Sequence, residues 1–596
     1  MGETTQLAIL LRNGDLPGSA QAYGRLVANR GLFAALVRHG GYGTIHWLVN
    51  RRSTPEAQVL QQLETGLGLS EQAQPRAVRP RFALASPLNT LPAQEGGLVL
   101  HGSAYLGPSA WLRRHAGQER AYSLVGTFFG LAVAAQRHQM LGSLLAPLEP
   151  WDAVICSSPT VQTAVHTMLD NMGAYLAERT GARQLRLPQL PVIPIGVDVA
   201  GLAAQASNGE ARRSLRQQLG LSADAVAVLW VGRLSWFDKA FPQAMLLALE
   251  QAAQRSGVPV HFLMAGWFPD QQRDGPRFEA AIRAHAPSVA VHLLDGNDQA
   301  LVRRCWAAAD VFLSLSDTIL ETFGQAPVEA MAAGLPVVLS DWNGYRSLLD
   351  HGEEGLLIPT LAAPAGGNGE WLALVEAMGQ LDPTAYGGSV AQHVAVHVGL
   401  AAEALTALIN SPALRRRLGE AAQRRARHNL DWPVVVAAHQ ALFKELAKRR
   451  RHAANPDDQP ATARSSGGEL RSIELRPIEP RHVALPPLGH DPFADFGHYA
   501  SATLSDDHQL RWSALQAQGP NEPLERCELD GLMPGLRATP AEHRQLLEHL
   551  GVNGSCSVAE LLAPFPPKRR PFLRMGLVWL AKLGRIDWLG PEQPQA

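Results

Sequence analysis

Glu321-Thr-Phe-Gly-Gln-Ala-Pro-Val-Glu329, followed by Ala330-Met-Ala-Ala-Gly-Leu-Pro-Val-Val338, sets two carboxylates eight positions apart. The first follows the apolar run Val311 to Leu315 and falls in a loop. The second lies in an apolar stretch that Gly334 and Pro336 bring to an end, as they would end a helix. Eight continuous helical residues would put both carboxylates on one face. Gly324 and Pro327 argue instead that the helix begins between them. Glu321 is therefore expected in the loop at the helix mouth and Glu329 on the helix itself. A buried strand feeding a loop and a helix is half of a βα unit, and open α/β sheets bind ligands at the carboxyl edge of their strands. Two carboxylates aimed there suit a ligand rich in hydroxyls, because each can accept hydrogen bonds from vicinal OH groups.

Further segments stand in order around this stretch. Val231-Gly-Arg233-Leu, with Lys239 downstream, closes the apolar run that begins at Val226. Ala309-Asp310-Val-Phe-Leu-Ser-Leu-Ser316 leads into the two glutamates. Pro336-Val-Val-Leu-Ser-Asp-Trp-Asn-Gly-Tyr-Arg346 and His351-Gly-Glu-Glu-Gly-Leu-Leu-Ile-Pro359 come after them. A lone pair of glutamates at this spacing arises by chance, but the ordered set does not. Over residues 225 to 360 the chain resembles the retaining GT-B glycosyltransferases of the family 4 type (glycosyl transferases group 1), which include sucrose, glycogen and lipopolysaccharide glycosyltransferases.

The resemblance implies an α/β fold of GT-B architecture, with two Rossmann-like, doubly wound parallel-sheet domains facing a cleft. It implies transfer of a sugar, hexosyl or related, from a nucleotide-diphosphate sugar to an acceptor that could be a glycan, a lipid or a small molecule. Configuration would be retained by front-face attack, with the leaving phosphate as base. Arg233, Lys239 and Glu321 become the catalytic set: the two cations clamp the diphosphate and Glu321 orients the donor sugar. Arginine offers a bidentate fork to phosphate, lysine a compact point charge. A lysine at a helix start opposes the helix dipole, which favours a functional reading. Glu329 would bind the ribose hydroxyls. Phe323, Gly324 and Gln325 would offer backbone N–H groups at the helix N-terminus to a phosphate or a sugar hydroxyl. No D-x-D follows a strand, since Asp457-Asp458 and Asp506-Asp507 lie in polar segments. Neither a metal nor another cofactor is expected.

The first domain carries less specific signals. Gly14 to Ser19 follows the strand-like Leu7 to Leu11 where relatives place a Gly-rich loop. Gly18 and Ser19 are donor-site candidates, and a plain βα turn explains them equally well. The loop is not G-x-G-x-x-G, so a dinucleotide fingerprint is not met. His101 ends Leu98-Val-Leu100 and can be read as a sugar contact or as a structural histidine. Relatives often carry their sugar-contacting histidine after the following strand, where this chain reads Val125-Gly-Thr-Phe-Phe-Gly130 without one. Asp341, Asn343, Tyr345 and Arg346 divide between ligand contact and capping of the next helix.

Alternating strand and helix patterns give the domain plan. Residues 1–200 read as an N-terminal acceptor-side domain whose last strand is Pro191 to Asp198. Gly201 to Leu219 is polar and reads as a connection. Residues 220–430 read as the nucleotide-sugar domain, 431–451 as a crossover helix, 452–538 as a linker or strap, and 539–596 as a small helical module similar to a winged helix. That module holds Lys568-Arg-Arg570 and Arg574, interrupted by Pro566, Pro567 and Pro571. Nucleic-acid binding wants several aligned phosphate contacts, so a solvated or protein-docking face is the better reading.

Length and composition bound the rest. A chain of 596 residues exceeds a single core. Apolar content of 46% with 18% charged residues describes a globular chain, and a net charge of -1 gives no global field for nucleic acid or anionic lipid. Cys156, Cys305, Cys527 and Cys556 show no C-x-x-C, so neither a zinc site nor a disulfide framework is expected. Met1-Gly-Glu-Thr-Thr-Gln lacks the basic start and apolar core of a secretory leader. No apolar run reaches the roughly 18 residues that span a bilayer. Cytoplasmic placement is expected, with peripheral membrane contact left open. A non-enzymatic alternative is a nucleotide-sugar-binding sensor or scaffold that signals through the C-terminal module.

Overall fold

The computed structural model describes residues 6–12, 15, 24–50, 54–69, 79–182, 185, 187–236, 238–239, 241–366, 368–454, 491–513 and 537–589. The chain divides into two compact units, residues 1–198 with 428–488, and residues 199–427 with 489–596. Each is built on a six-stranded sheet whose strands are all parallel.

In unit 1 the strands are β1 (Gln6–Leu10), β2 (Thr44–Leu48), β3 (Arg81–Ala85), β4 (Leu98–His101), β5 (Ser123–Phe128) and β6 (Ala153–Cys156). Their order is β3-β2-β1-β4-β5-β6. This is the doubly wound Rossmann order, whose reversal between β1 and β4 makes the switch point. The Pro- and Arg-containing region after β2 hides β3, whose residues are only partly buried at the sheet edge. Pro191 to Asp198 does not join the sheet. It makes single bridges, Cys156 to Val192 and Val197 to Asp431. The second of these returns the chain to unit 1, where helix Trp432–Ala454 belongs. The Trp432 indole lies against Gly31 and Gly196, where any β-carbon would collide with it.

In unit 2 the strands are β7 (Val226–Arg233), β8 (Val260–Trp267), β9 (Ala290–Asp295), β10 (Val311–Ser314), β11 (Val337–Ser340) and β12 (Gly355–Ile358), ordered β12-β11-β10-β7-β8-β9. The order is again doubly wound, and β7 and β10 are the strands at the reversal. Strand β7 shows why the sequence permits this. Val226 to Trp230 are buried, as strands covered on both faces by helices must be, and the first charge appears only at its end, Arg233. Val228, Trp230, Phe262, Leu313 and Val338 share one core.

Gly201 to Leu219, read as a connection, is helical. Helices Val199–Ala206 and Gly209–Gln218 occupy it. Arg212 and Arg216 both pair with Asp310, and Arg212 also donates to the carbonyls of Ala307, Ala308 and Ala309 at 3.0–3.1 Å. Asp310 also accepts from the Ala227 N–H at 2.8 Å. The polarity of this segment thus serves internal contacts.

Part of the segment read as a strap is built into unit 2. β13 (Thr360–Ala362) pairs with β14 (Val394–Val396) and with β15 (Ala502–Thr503). β16 (Gln509–Trp512) is the central strand of an antiparallel sheet with β17 (Ser555–Ser557) and β18 (Ile586–Leu589). Around that sheet lie helices Pro540–Asn553, Val558–Leu562 and Arg570–Lys582, the first two opened by capping boxes at Thr539/Glu542 and Ser557/Glu560. The basic cluster is largely consumed internally. Arg569 forms a fork with Glu542, both bonds 2.8 Å, Arg574 pairs with Asp506, and Arg570 donates to Phe565 and Ala563 carbonyls. No helix among the described residues is long and apolar enough to cross a membrane.

Candidate active site

The switch point of unit 2 collects the chemistry. Arg233 is the last residue of β7, in register with Trp267 of β8. Ten positions of chain then separate Ser314, the end of β10, from helix Gln325–Ala332, and Glu321 lies in that loop. Gly324 caps the helix with φ of 105°, a left-handed conformation in which a side chain would strain the backbone and also strike the Tyr345 ring. The glycine is what lets the loop turn into the helix between the two carboxylates.

Lys239 and Glu321 form an ion pair, with their side chains 28% and 12% exposed. Burial drives the Glu321 carboxyl up, but the Lys239 ammonium and its hydrogen bond, with the N–H groups of Phe323 and Thr322, outweigh it and hold the carboxyl below its usual range. Those N–H groups donate to Oε1 at 3.5 and 3.3 Å. The Phe323 side chain is buried. Arg233 is paired with Asp238 at 3.2 Å. Asp238 is buried and also accepts from the Ser235 hydroxyl. The two candidate cations are thus each held by a carboxylate, one on the same loop and one across the switch point.

Glu329 sits on the helix as its spacing predicts, and its surroundings differ in kind. The partner given by hydrogen bonding is Gln325, whose Nε2 donates at 3.4 Å. Burial raises the carboxyl to about 7, and the Gln325 bond offsets little of that. A carboxyl so placed takes up hydrogen-bond donors readily, because each donor stabilises the charge that burial penalises.

Asn343, read between ligand contact and helix capping, shapes the loop that carries Glu321. Asn343 has φ of 48°, the positive value that a described non-glycine residue adopts, and its side-chain amide donates to the Glu321 carbonyl. Asn343 therefore serves the loop from the next βα connection. Asp341 and Arg346 pair with each other at 2.9 Å, and the Tyr345 hydroxyl meets the Ser314 hydroxyl at 3.0 Å. Asp238 had a signal in the sequence, a carboxylate between the two candidate cations.

In unit 1, His101 ends β4 and is buried, and neither ring nitrogen has a hydrogen-bond partner among the described residues. Burial, with the nearby Arg12 charge, lowers it to about 3, so the ring is neutral. Gly18 and Ser19 lie outside the described residues.

Residues 211–365 match the family model of glycosyl transferases group 1. The phosphatidyl-myo-inositol mannosyltransferase of Mycobacterium tuberculosis is 29% identical over 260 residues, 43% of this chain and 54% of the relative. Spore coat protein SA of Bacillus subtilis is 25% identical over 227 residues, 38% of this chain and 50% of the relative. The chain spans about half the length of the curated relatives it matches. Among solved structures, Anabaena HepE in complex with UDP aligns over 74% of this chain and 99% of its own, with a TM-score of 0.46 and 16% identity.

Proposed function

We propose that this chain, which carries a glycosyl transferases group 1 domain in residues 211–365, moves a sugar from a nucleotide-diphosphate sugar to an acceptor with retention of configuration. The observation that carries the reading is the convergence of Arg233, Lys239 and Glu321 on the strand ends at the switch point of unit 2. In this reading Arg233 and Lys239 meet the charge that develops on the leaving diphosphate, a stabilisation that is strong where water is excluded. They supply it without a metal. Glu321, ionised and fixed by Lys239 and two N–H groups, orients the donor sugar. The departing phosphate takes the acceptor proton on the face where the new bond forms. Glu329, once ionised, accepts the vicinal ribose hydroxyls, and the N–H groups of Gly324 and Gln325 at the helix mouth face the phosphates.

The name of the Mycobacterium tuberculosis relative, a mannosyltransferase, supports a hexosyl donor. The acceptor class is left as glycan, lipid or small molecule.

Titration calorimetry with UDP, GDP and ADP, followed by turnover of the matching nucleotide sugars, tests this. One diphosphate should bind, and Glu329→Ala should weaken it about 10- to 150-fold, the equivalent of a lost charged hydrogen bond of roughly 1.5–3 kcal/mol. Unchanged affinity in that variant would remove Glu329 from the ribose site. Binding without turnover would favour the sensor or scaffold reading, for which the packing of the C-terminal residues onto unit 2 is the supporting observation.

A further inference from the structure

Lys582 is the last residue of helix Arg570–Lys582, far along the chain from the family match, and it is buried. Its ammonium pairs with Asp317, with the two side chains 2% and 7% exposed. It also donates to the Val394 carbonyl at 3.3 Å and stands 4.9 Å from the centre of the Phe241 ring. Asp317 is four residues before Glu321, and Phe241 is two residues after Lys239. One cation from the C-terminal module therefore touches both segments that bring Lys239 and Glu321 together.

Other contacts run the same way. Gln243 donates to the Leu583 carbonyl at 3.1 Å. Trp579 belongs to the core that holds Trp236 and Phe241. The loop on which Asp317 lies is also tied through its backbone. The Ser316 carbonyl accepts from the Ser340 hydroxyl, and the Thr318 carbonyl accepts from Trp342 Nε1 at 2.9 Å. Trp342 in turn packs edge-on against Tyr499, and Arg346 donates to the His498 and Ala500 carbonyls. Residues beyond 490 thus brace both loops that follow β10 and β11.

We propose that Lys582 is a positioning residue for the donor site: by pairing with Asp317 while covering Phe241, it fixes the Lys239 and Glu321 loops in register, so that donor binding depends on the docked C-terminal module. This rests on the reading of those loops as the donor site. A buried ion pair seldom adds much net stability, and replacing both partners by apolar residues is often neutral or stabilising. Positioning explains the burial of two charges better than stability does.

The same physics supplies the test. Single Lys582→Met leaves Asp317 buried and unpaired, and it can fail to fold. The double variant Asp317→Leu/Lys582→Met removes both charges in the full chain. It should melt at or above the wild-type temperature. Its loop Ser316–Phe323 should exchange amide hydrogens faster, and the diphosphate that binds wild type among UDP, GDP and ADP should bind at least fivefold more weakly. A folded double variant with wild-type exchange in that loop and wild-type affinity would overturn the proposal. Loss of stability and affinity together, with loop exchange unchanged, would overturn it also, because the pair would then be structural only. If wild type binds none of the three diphosphates, the donor-site reading fails by itself. Loop exchange alone then decides whether Lys582 fixes the two loops.

Discussion

Glu329 ties function to stability in a way that can be measured. Burial holds its carboxyl at about 7 against an ordinary value of 4.5. The folded state therefore binds a proton that the unfolded state has already released between those pH values. Stability from this group is fully present below pH 4.5 and is lost as the pH rises through 7. At pH 8 the difference corresponds to at most about 3 kcal/mol, and partial exposure of the side chain reduces it to about 1–3 kcal/mol. Glu329→Gln keeps the shape and removes the ionisation. Urea unfolding followed at pH 5, 6.5 and 8 should show the variant gaining on wild type as the pH rises. Nucleoside diphosphate affinity should move the opposite way. The variant should bind about 10- to 150-fold more weakly at pH 8, where the wild-type carboxylate is ionised and accepts hydroxyl donors. Wild-type affinity should itself rise about tenfold from pH 6 to pH 8, as the ionised fraction climbs from about one tenth to nine tenths. Parallel stability curves for the two proteins, or a variant less stable than wild type at pH 8, would refute the half-buried, poorly partnered carboxylate on which the reasoning depends.

Three further outcomes follow from the same contacts. Lys239→Met should lower kcat about 10²- to 10³-fold, the usual scale for removing one charge-stabilising group, and it should raise the acid limb of the pH profile because burial of Glu321 is then opposed only by the Thr322 and Phe323 N–H groups; a profile identical to wild type would dissociate the pair from turnover. Asn343→Gly keeps the positive φ and loses the bond to the Glu321 carbonyl, whereas Asn343→Ala also strains the backbone; Gly should therefore be the more stable of the two by about 0.5–1 kcal/mol in denaturant titration, with donor KM raised in both. The Arg569 fork holds the Glu542 carboxyl down to about 2, so its stability is present above pH 4.5 and is lost as the pH falls through 2; Glu542→Gln should cost about 1–2 kcal/mol at pH 7 by urea unfolding and only a small fraction of that near pH 2.

What could be read from the sequence was local. Val226 to Val231 and Val311 to Leu315 announce buried parallel strands because both of their faces are apolar, Arg233 is legible because it is the first charge met when its run stops, and Glu321 because it stands eight positions before Glu329 ahead of a helix. Gly324 marks the turn into the helix for a reason intrinsic to its backbone. Polar segments are less legible for the opposite reason. Gly201 to Leu219 and Pro492 to Ser513 carry charge and turn residues that resemble linkers, yet Arg212 and Arg216 satisfy Asp310, and Ala502–Thr503 adds an edge to β13. Composition reports how much of a segment could face water, and only the partner decides whether it does.

The partners that matter most to the site are those least visible along the chain. Lys239 lies 82 residues from Glu321, and Lys582 lies 265 from Asp317. A doubly wound sheet explains the first separation, because β7 and β10 are adjacent by topology and their following loops must meet at the switch point. No such rule links a C-terminal helix to the loop after β10. That contact reaches in from outside the family match, and it lies on the same loop as Glu321, the residue whose ionisation already depends on Lys239. A shift of that loop would separate Glu321 from its cation and leave burial to raise the carboxyl. Loosening the Lys582 tether should thus be read in the pH dependence of donor binding as well as in its strength.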